Sequence, residues 1–295
     1  MQLKASTCWI LAKRVSTSWL DDYAPSMGAA LAFYTMFSLA PLLLIVISVA
    51  GLVFGQDAAR GEIAAQLQAL MGDRGASAVQ DLLASVQQPA EGAAATAVGV
   101  VLLFVGATSV FGELQNSLDR IWRVPARSTM VGWMSLLRSR LLSFGMIMAI
   151  GFLLMVSLVT SAGLAAMGRW WNSMLGGWYF LALATNALVD FLLAAVMFAF
   201  IYKVMPRVHV QWRDVWIGAI FTALLFTIGK TLIGLYVGRS GVTSGFGAAG
   251  SLVVVLLWVY YSAQIFLIGA EFTWVYANAF GSRRSSSRHH GTAFL

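Results

Sequence analysis

The sequence predicts an all-α polytopic membrane protein with six transmembrane helices, both termini in the cytoplasm, and amphipathic helices at the interfaces. Three observations carry this. Hydrophobic residues form 59% of the 295-residue chain and charged residues 11%, with a mean hydropathy of +0.79, far outside the soluble range. Six stretches, at about 28–54, 93–112, 141–166, 178–202, 214–238 and 248–276, reach the roughly 20 apolar residues that a hydrocarbon core of about 30 Å requires. The cations are also unequally divided. With the amino terminus inside, fourteen of the nineteen Lys and Arg residues fall in inner segments, four (Arg60, Arg74, Arg169, Arg239) in outer ones, and Lys230 within a span. The net charge of +7 is accounted for by topology, so nucleic acid is not an expected partner, whereas the bilayer and its anionic head groups are.

Taken in order, residues 3–20 place Cys8, Leu11, Val15 and Trp19 at helical spacing with Lys4 and Lys13 available for the head groups, which predicts an interfacial helix and no cleavable signal peptide. Cys8 is the single cysteine, so no internal disulfide or cysteine-based metal cluster is available. Pro41 lies inside the first span and removes one backbone hydrogen bond there, which predicts a kink. The outer segment 56–92 carries Ile63, Leu67 and Leu70, then Val79, Leu82 and Val86, and predicts two short amphipathic helices separated at "GDRG". Its acids could concentrate cations or form the solvated face of a cap on the bundle. The stretch 112–124 reads as an amphipathic helix with Leu114, Leu118, Ile121 and Trp122 on one face, Arg120 and Arg123 on the other, and Pro125 beyond its end. The link "VGRSGVTSGFGAAGSL" is rich in glycine and fits either a plain loop or a re-entrant segment. Gly234 and Gly238 form a GxxxG pair compatible with a homo-oligomer. Residues 1–280 then make a single six-helix domain, and 281–295 a flexible, basic cytoplasmic tail.

Four stretches carry a family resemblance: "GAALAFYTMFSLAPLLL", "LQNSLDRIWRV", "YKVMPRVHVQWRDVWIGAIFTALLF" and "FGAAGSLVVVLLWVYYSAQIFLIGAEF". Across nearly all of residues 1–280 the chain resembles the YihY/BrkB family of bacterial inner-membrane proteins, once labelled ribonuclease BN. Phe246-Gly247 stands where that pattern has Tyr-Gly, a change of one hydroxyl. The resemblance implies a six-helix, transporter-like protein of the bacterial inner membrane.

The residues themselves argue against nuclease chemistry, which needs clustered carboxylates or histidines around a metal, or a poised acid–base pair. Glu113 and Asp119 are six residues apart, hence roughly 120° apart around a helix. His209 stands in a short turn, and His289 with His290 make no metal site. No phosphate-binding loop, nucleophile elbow or His-Glu-x-x-His run is present, so no catalytic residue, cofactor or metal is expected.

Polar residues at membrane depth are the informative ones, because a charge at a helix centre costs roughly 2.5–3.5 kcal/mol on insertion scales. Asn186, Asp190, Lys230 and Gln264 form one candidate set, with Asp190 and Lys230 at similar depth on adjoining spans. They either line a polar cavity or form an ion pair and helix-bridging hydrogen bonds that fix packing. Glu113, Asn116, Arg120 and Glu271 form a second candidate set at the inner interface. Two functions follow: a transporter or flippase for an ion, small solute or lipid, or a non-catalytic scaffold for envelope partners.

Overall fold

The computed structural model describes residues 5–87, 109–124, 179–239 and 249–283, with helices joined by turns and short irregular links and no strand among them. The expected spans 93–112 and 141–166 lie wholly or largely outside the described residues, as do most of the glycine-rich link and the tail from 284 onward.

Helix α1 (Ala5–Asp21) turns Val15 into the core, with Leu11 and Trp19 packed beside it, as their spacing predicts. Its end is a sharp reversal. Tyr23 takes a left-handed conformation at φ 57°, ψ 37°, and its amide donates to the Leu20 carbonyl at 3.0 Å. Helix α2 (Ala24–Phe54) starts at once, with Pro25 in its first turn, where a missing amide costs nothing. At 31 residues it is about 46 Å long, and the helix continues through Pro41. Gly55, at φ 87°, ends it.

Helix α3 (Gln56–Gln87) is two helical pieces meeting at Gly72, whose φ of 73° and ψ of 175° break the helix at the first residue of "GDRG". Its Met71, Ala78, Val79 and Leu83 bury against Ile47 of α2 and a set from later helices, so this segment caps one end of the bundle. Helix α4 covers residues 109–121 and turns Leu118, Ile121 and Trp122 inward at the opposite end.

Helices α5 (Tyr179–Val204), α6 (Trp212–Arg239) and α7 (Gly250–Ala279) contain the three stretches, among the described residues, long and apolar enough to cross a bilayer: Ala187–Val204, Trp212–Val237 and Gly250–Ala279. Helix α7 packs against α1, α2, α3 and α6. Its contact with α6 is reciprocal. The Thr222 hydroxyl of α6 donates to the Gly218 carbonyl one turn back at 2.8 Å, and the Thr273 hydroxyl of α7 donates to the Gly269 carbonyl at 2.7 Å. Each threonine sits over the other helix's glycine: a Cβ on Gly218 would overlap Thr273, and one on Gly269 would overlap Thr222. Tyr202 ties in α5, donating to the Phe266 carbonyl at 2.8 Å with its oxygen 3.0 Å from Thr222 Oγ1.

Gly269→Ala should therefore lower stability by roughly 1–3 kcal/mol through overpacking, because the new methyl would lie 2.9 Å from Thr222 Cβ and 2.6 Å from the Tyr202 oxygen. Gly234→Ala is the control, with nothing within 4 Å of its Cβ position. Equal thermal midpoints for the two variants in detergent would refute this account of the crossing.

Candidate functional site

Seven residues separate Gln264 from Glu271 on α7, which places them about 20° apart around the axis and about 10 Å apart along it. Both face the start of α2 and the turn before it. The Gln264 amide nitrogen donates a long 3.4 Å bond to the Ala24 carbonyl and lies where a Cβ on Gly28 would be, so a side chain there would displace the amide. Its Oε1 is buried without a hydrogen-bond partner.

Glu271 is 0% exposed, and neither carboxylate oxygen has a hydrogen-bond partner. Its charged neighbours are Asp22, within side-chain hydrogen-bonding reach, and Asp21 and Arg123 at longer range. Asp22 Oδ2 is likewise buried and unpartnered. Two carboxylates offer only acceptors, so their contact becomes a hydrogen bond only when one of them carries a proton.

The two residues of positive φ other than glycine, among the described residues, both adjoin this site. Tyr23 reverses the chain after Asp22, and Arg123, at φ 51°, reverses it after α4. Such backbone costs about 1–3 kcal/mol and persists where its surroundings impose it. The Arg123 guanidinium lies 4.2 Å from the centroid of the Trp274 ring, Arg120 lies 5.1 Å from that of Tyr23, and Arg283 lies 5.2 Å from that of Trp122. Trp19 Nε1, Trp122 Nε1 and Ser117 Oγ are further buried polar atoms without hydrogen-bond partners.

The structure draws its site from both sequence-derived sets. Gln264 and Glu271, expected in separate clusters, share one face of α7. Asp190 is exposed and Lys230 half-buried, and no salt bridge joins them among the described residues. Among the described side chains of α5, burial begins at Ala195, beyond Asp190. Asn186 falls on α5, with its side chain outside the description. Glu113 is half-buried, Asn116 exposed and Arg120 exposed. It is Arg123, not Arg120, whose charge acts on Glu271. Asp22 and Arg123 completed the site without a signal in periodicity, since each depends on a left-handed turn at a non-glycine residue.

A second polar contact holds the α5–α6 turn. Asp119 of α4 accepts from the Arg207 amide at 2.8 Å and pairs with the Arg207 guanidinium at 3.5 Å, while Gln115 donates to the Met205 carbonyl at 3.2 Å. Burial raises the Asp119 carboxyl above its ordinary value, against the opposing pull of the Arg207 amide and guanidinium. At the end of α7, Asp214 of α6 accepts from the Ser282 amide and hydroxyl at 3.1 and 2.6 Å. His209 is exposed in the same turn as Arg207.

Bilayer-length apolar helices around a buried polar stripe define an integral membrane protein. The sequence profile of the family described as Virulence factor BrkB matches residues 15–292, and the chain belongs to that family. A UPF0761 membrane protein of Pseudomonas aeruginosa is 30% identical over 266 residues, 88% of this chain and 61% of its own length. Relatives of the same designation from Ralstonia nicotianae and Neisseria meningitidis serogroup B are 29% and 26% identical, over 85% and 90% of this chain and 55% and 62% of their own. The chain thus spans less than two thirds of the length of the curated relatives it matches. No solved structure matches it.

Because burial makes the folded protein hold the Asp119 proton more tightly than the unfolded chain does, this group favours the fold at acid pH. That contribution is lost as pH rises through its folded value. Asp119→Asn keeps an oxygen for the Arg207 amide and removes the titration. Its thermal midpoint should fall less steeply than the parent's as pH rises through the acid range. Superimposable pH profiles for the two proteins would rule this out.

Proposed function

We propose that this protein is a transporter of the bacterial inner membrane, with six spans and both termini in the cytoplasm, moving an ion, small solute or lipid between its helices. The observation that carries the reading is Glu271, fully buried in a bilayer-length helix with both oxygens unpartnered and a second carboxyl within reach. A buried charge is a poor source of stability, and a well-packed apolar residue generally serves the fold as well or better. Intramembrane acids are accordingly associated with ion and substrate pathways. The seam between α7 and the start of α2 adds Gln264 Oε1 as a second unpartnered acceptor about two turns away. That seam is the proposed route, in preference to a cavity at Asp190 and Lys230. The alternative, a scaffold for envelope partners, gives Glu271 no task beyond packing.

Reconstitution into liposomes tests the reading, using a pH-sensitive dye inside the vesicles, radiolabelled rubidium, and a fluorescent phosphatidylglycerol as probes. Glu271→Gln and Asp22→Asn should each reduce flux of the transported probe at least tenfold while leaving folded, membrane-inserted protein. Asp190→Asn, at an exposed position, should reduce it much less. Parent protein that moves none of the three probes would favour the scaffold instead, and a Glu271→Gln variant with unchanged flux would remove Glu271 from the route.

A further inference from the structure

We infer that Asp22 and Glu271 bind a single exchangeable proton between their carboxyl groups, making the proton the coupling ion of the transport proposed above, on which this assignment of a coupling role rests. The geometry leads there by elimination of donors. Glu271 has no donor for either oxygen, and Asp22 Oδ2 has none. Arg123, the one cation among the charged neighbours of Glu271, has its guanidinium over the Trp274 ring. Asp21, from the same helix end as Asp22, adds negative charge. Of the other polar groups of the surrounding helices, Tyr202 of α5 is engaged with Phe266 and Thr222, Asp214 of α6 with Ser282, Arg283 lies over Trp122 and Arg120 of α4 over Tyr23, while the buried donors Trp19 Nε1, Trp122 Nε1 and Ser117 Oγ make no hydrogen bond to either acid. A proton is then what converts two facing acceptors into one hydrogen bond.

A metal cation fits less well. Hard cations take about six or more oxygen ligands, and no group of three or more His, Cys, Asp or Glu residues gathers among the described residues. Carboxyl pairs that share one proton are a well-established way of holding a dissociable hydrogen in an enclosed site.

The exchange balances simply. A proton from the aqueous phase joins two carboxylates to give one carboxylic acid and one carboxylate, so the pair changes from −2 to −1. Release returns the proton and restores both charges, which requires a replacement donor. Arg123 supplies it by leaving the Trp274 ring for the pair. It stands on a left-handed hinge at φ 51°, and a charge-assisted contact with carboxylate is stronger than a ring contact. In the proton-loaded arrangement Arg123 rests on the Trp274 ring, the position it has in the structure.

Infrared spectroscopy of the purified protein in phosphatidylethanolamine–phosphatidylglycerol nanodiscs tests this without reference to cargo. The parent should have a protonated-carboxyl stretch at neutral pH that shifts in heavy water and disappears on alkaline titration. That band should be lost in both Glu271→Gln and Asp22→Asn, while Arg123→Gln should retain it to higher pH than the parent. Far-ultraviolet circular dichroism establishes that each variant is folded, and the parent spectrum alone suffices if one is not. Absence of the band from the parent, or its persistence in both acid variants, overturns the shared proton even if Glu271→Gln abolishes flux. A titrating band in a parent that moves none of the three probes upholds the proton site and overturns the transport reading.

Discussion

The close crossing of α6 and α7 is the contact on which the rest of the bundle depends. In a bilayer, lipid tails solvate apolar side chains as well as another helix does, so helices associate through tight packing and hydrogen bonds. Glycine and threonine meet that requirement twice here. Gly218 and Gly269 remove the side chains that would hold the backbones apart, and Thr273 and Thr222 occupy the space while satisfying their hydroxyls on their own helices. Once Gly269 faces α6, the rotation of α7 is set. Glu271, two residues later, lies about 200° around the axis, and so it points to the α1–α2 turn.

Two buried polar groups of this core make an instructive contrast. Tyr202 is fully buried, but its hydroxyl has the Phe266 carbonyl and Thr222 as partners, and it joins three helices. That is polar packing whose account closes. Glu271 is equally buried, carries more charge, and is left with a second acid opposite it. The same fold that satisfied a tyrosine so completely had room to satisfy or replace a glutamate. Its failure to do so sets the α1–α2–α7 junction apart from the rest of this core, since an unsatisfied buried group is retained at a cost.

Much of the architecture was legible in the residues. Hydropathy marked the long helices, the 3.6-residue period marked the buried faces of α1 and α4, and "GDRG" marked the break that Gly72 makes in α3. Less of the site was legible, for two physical reasons. Depth alone put Asp190 beside Lys230, but an ion pair also requires the two side chains to turn toward each other, and Asp190 is exposed, with no salt bridge to Lys230 among the described residues. Depth also separated Gln264 from Glu271, although their seven-residue spacing puts them on one face. Asp22 and Arg123 were invisible for a different reason: a left-handed turn at tyrosine or arginine is imposed by the tertiary structure and leaves no compositional mark comparable to glycine.

Each of those two turns couples backbone geometry to an ionisable group. Tyr23 holds Asp22 under α7 and also receives Arg120 on its ring, while Arg123 is itself the strained residue and rests on Trp274, three residues beyond Glu271. Relaxing either turn toward ordinary backbone would move a charge relative to Glu271, and changing the charge on Glu271 would alter the balance that keeps Arg123 on its ring. Strain, cation–aromatic contact and the carboxyl pair therefore form one mechanical unit at this end of the bundle. The α6–α7 crossing sets the direction of Glu271, and the α1–α2 and post-α4 turns bring Asp22 and Arg123 to it.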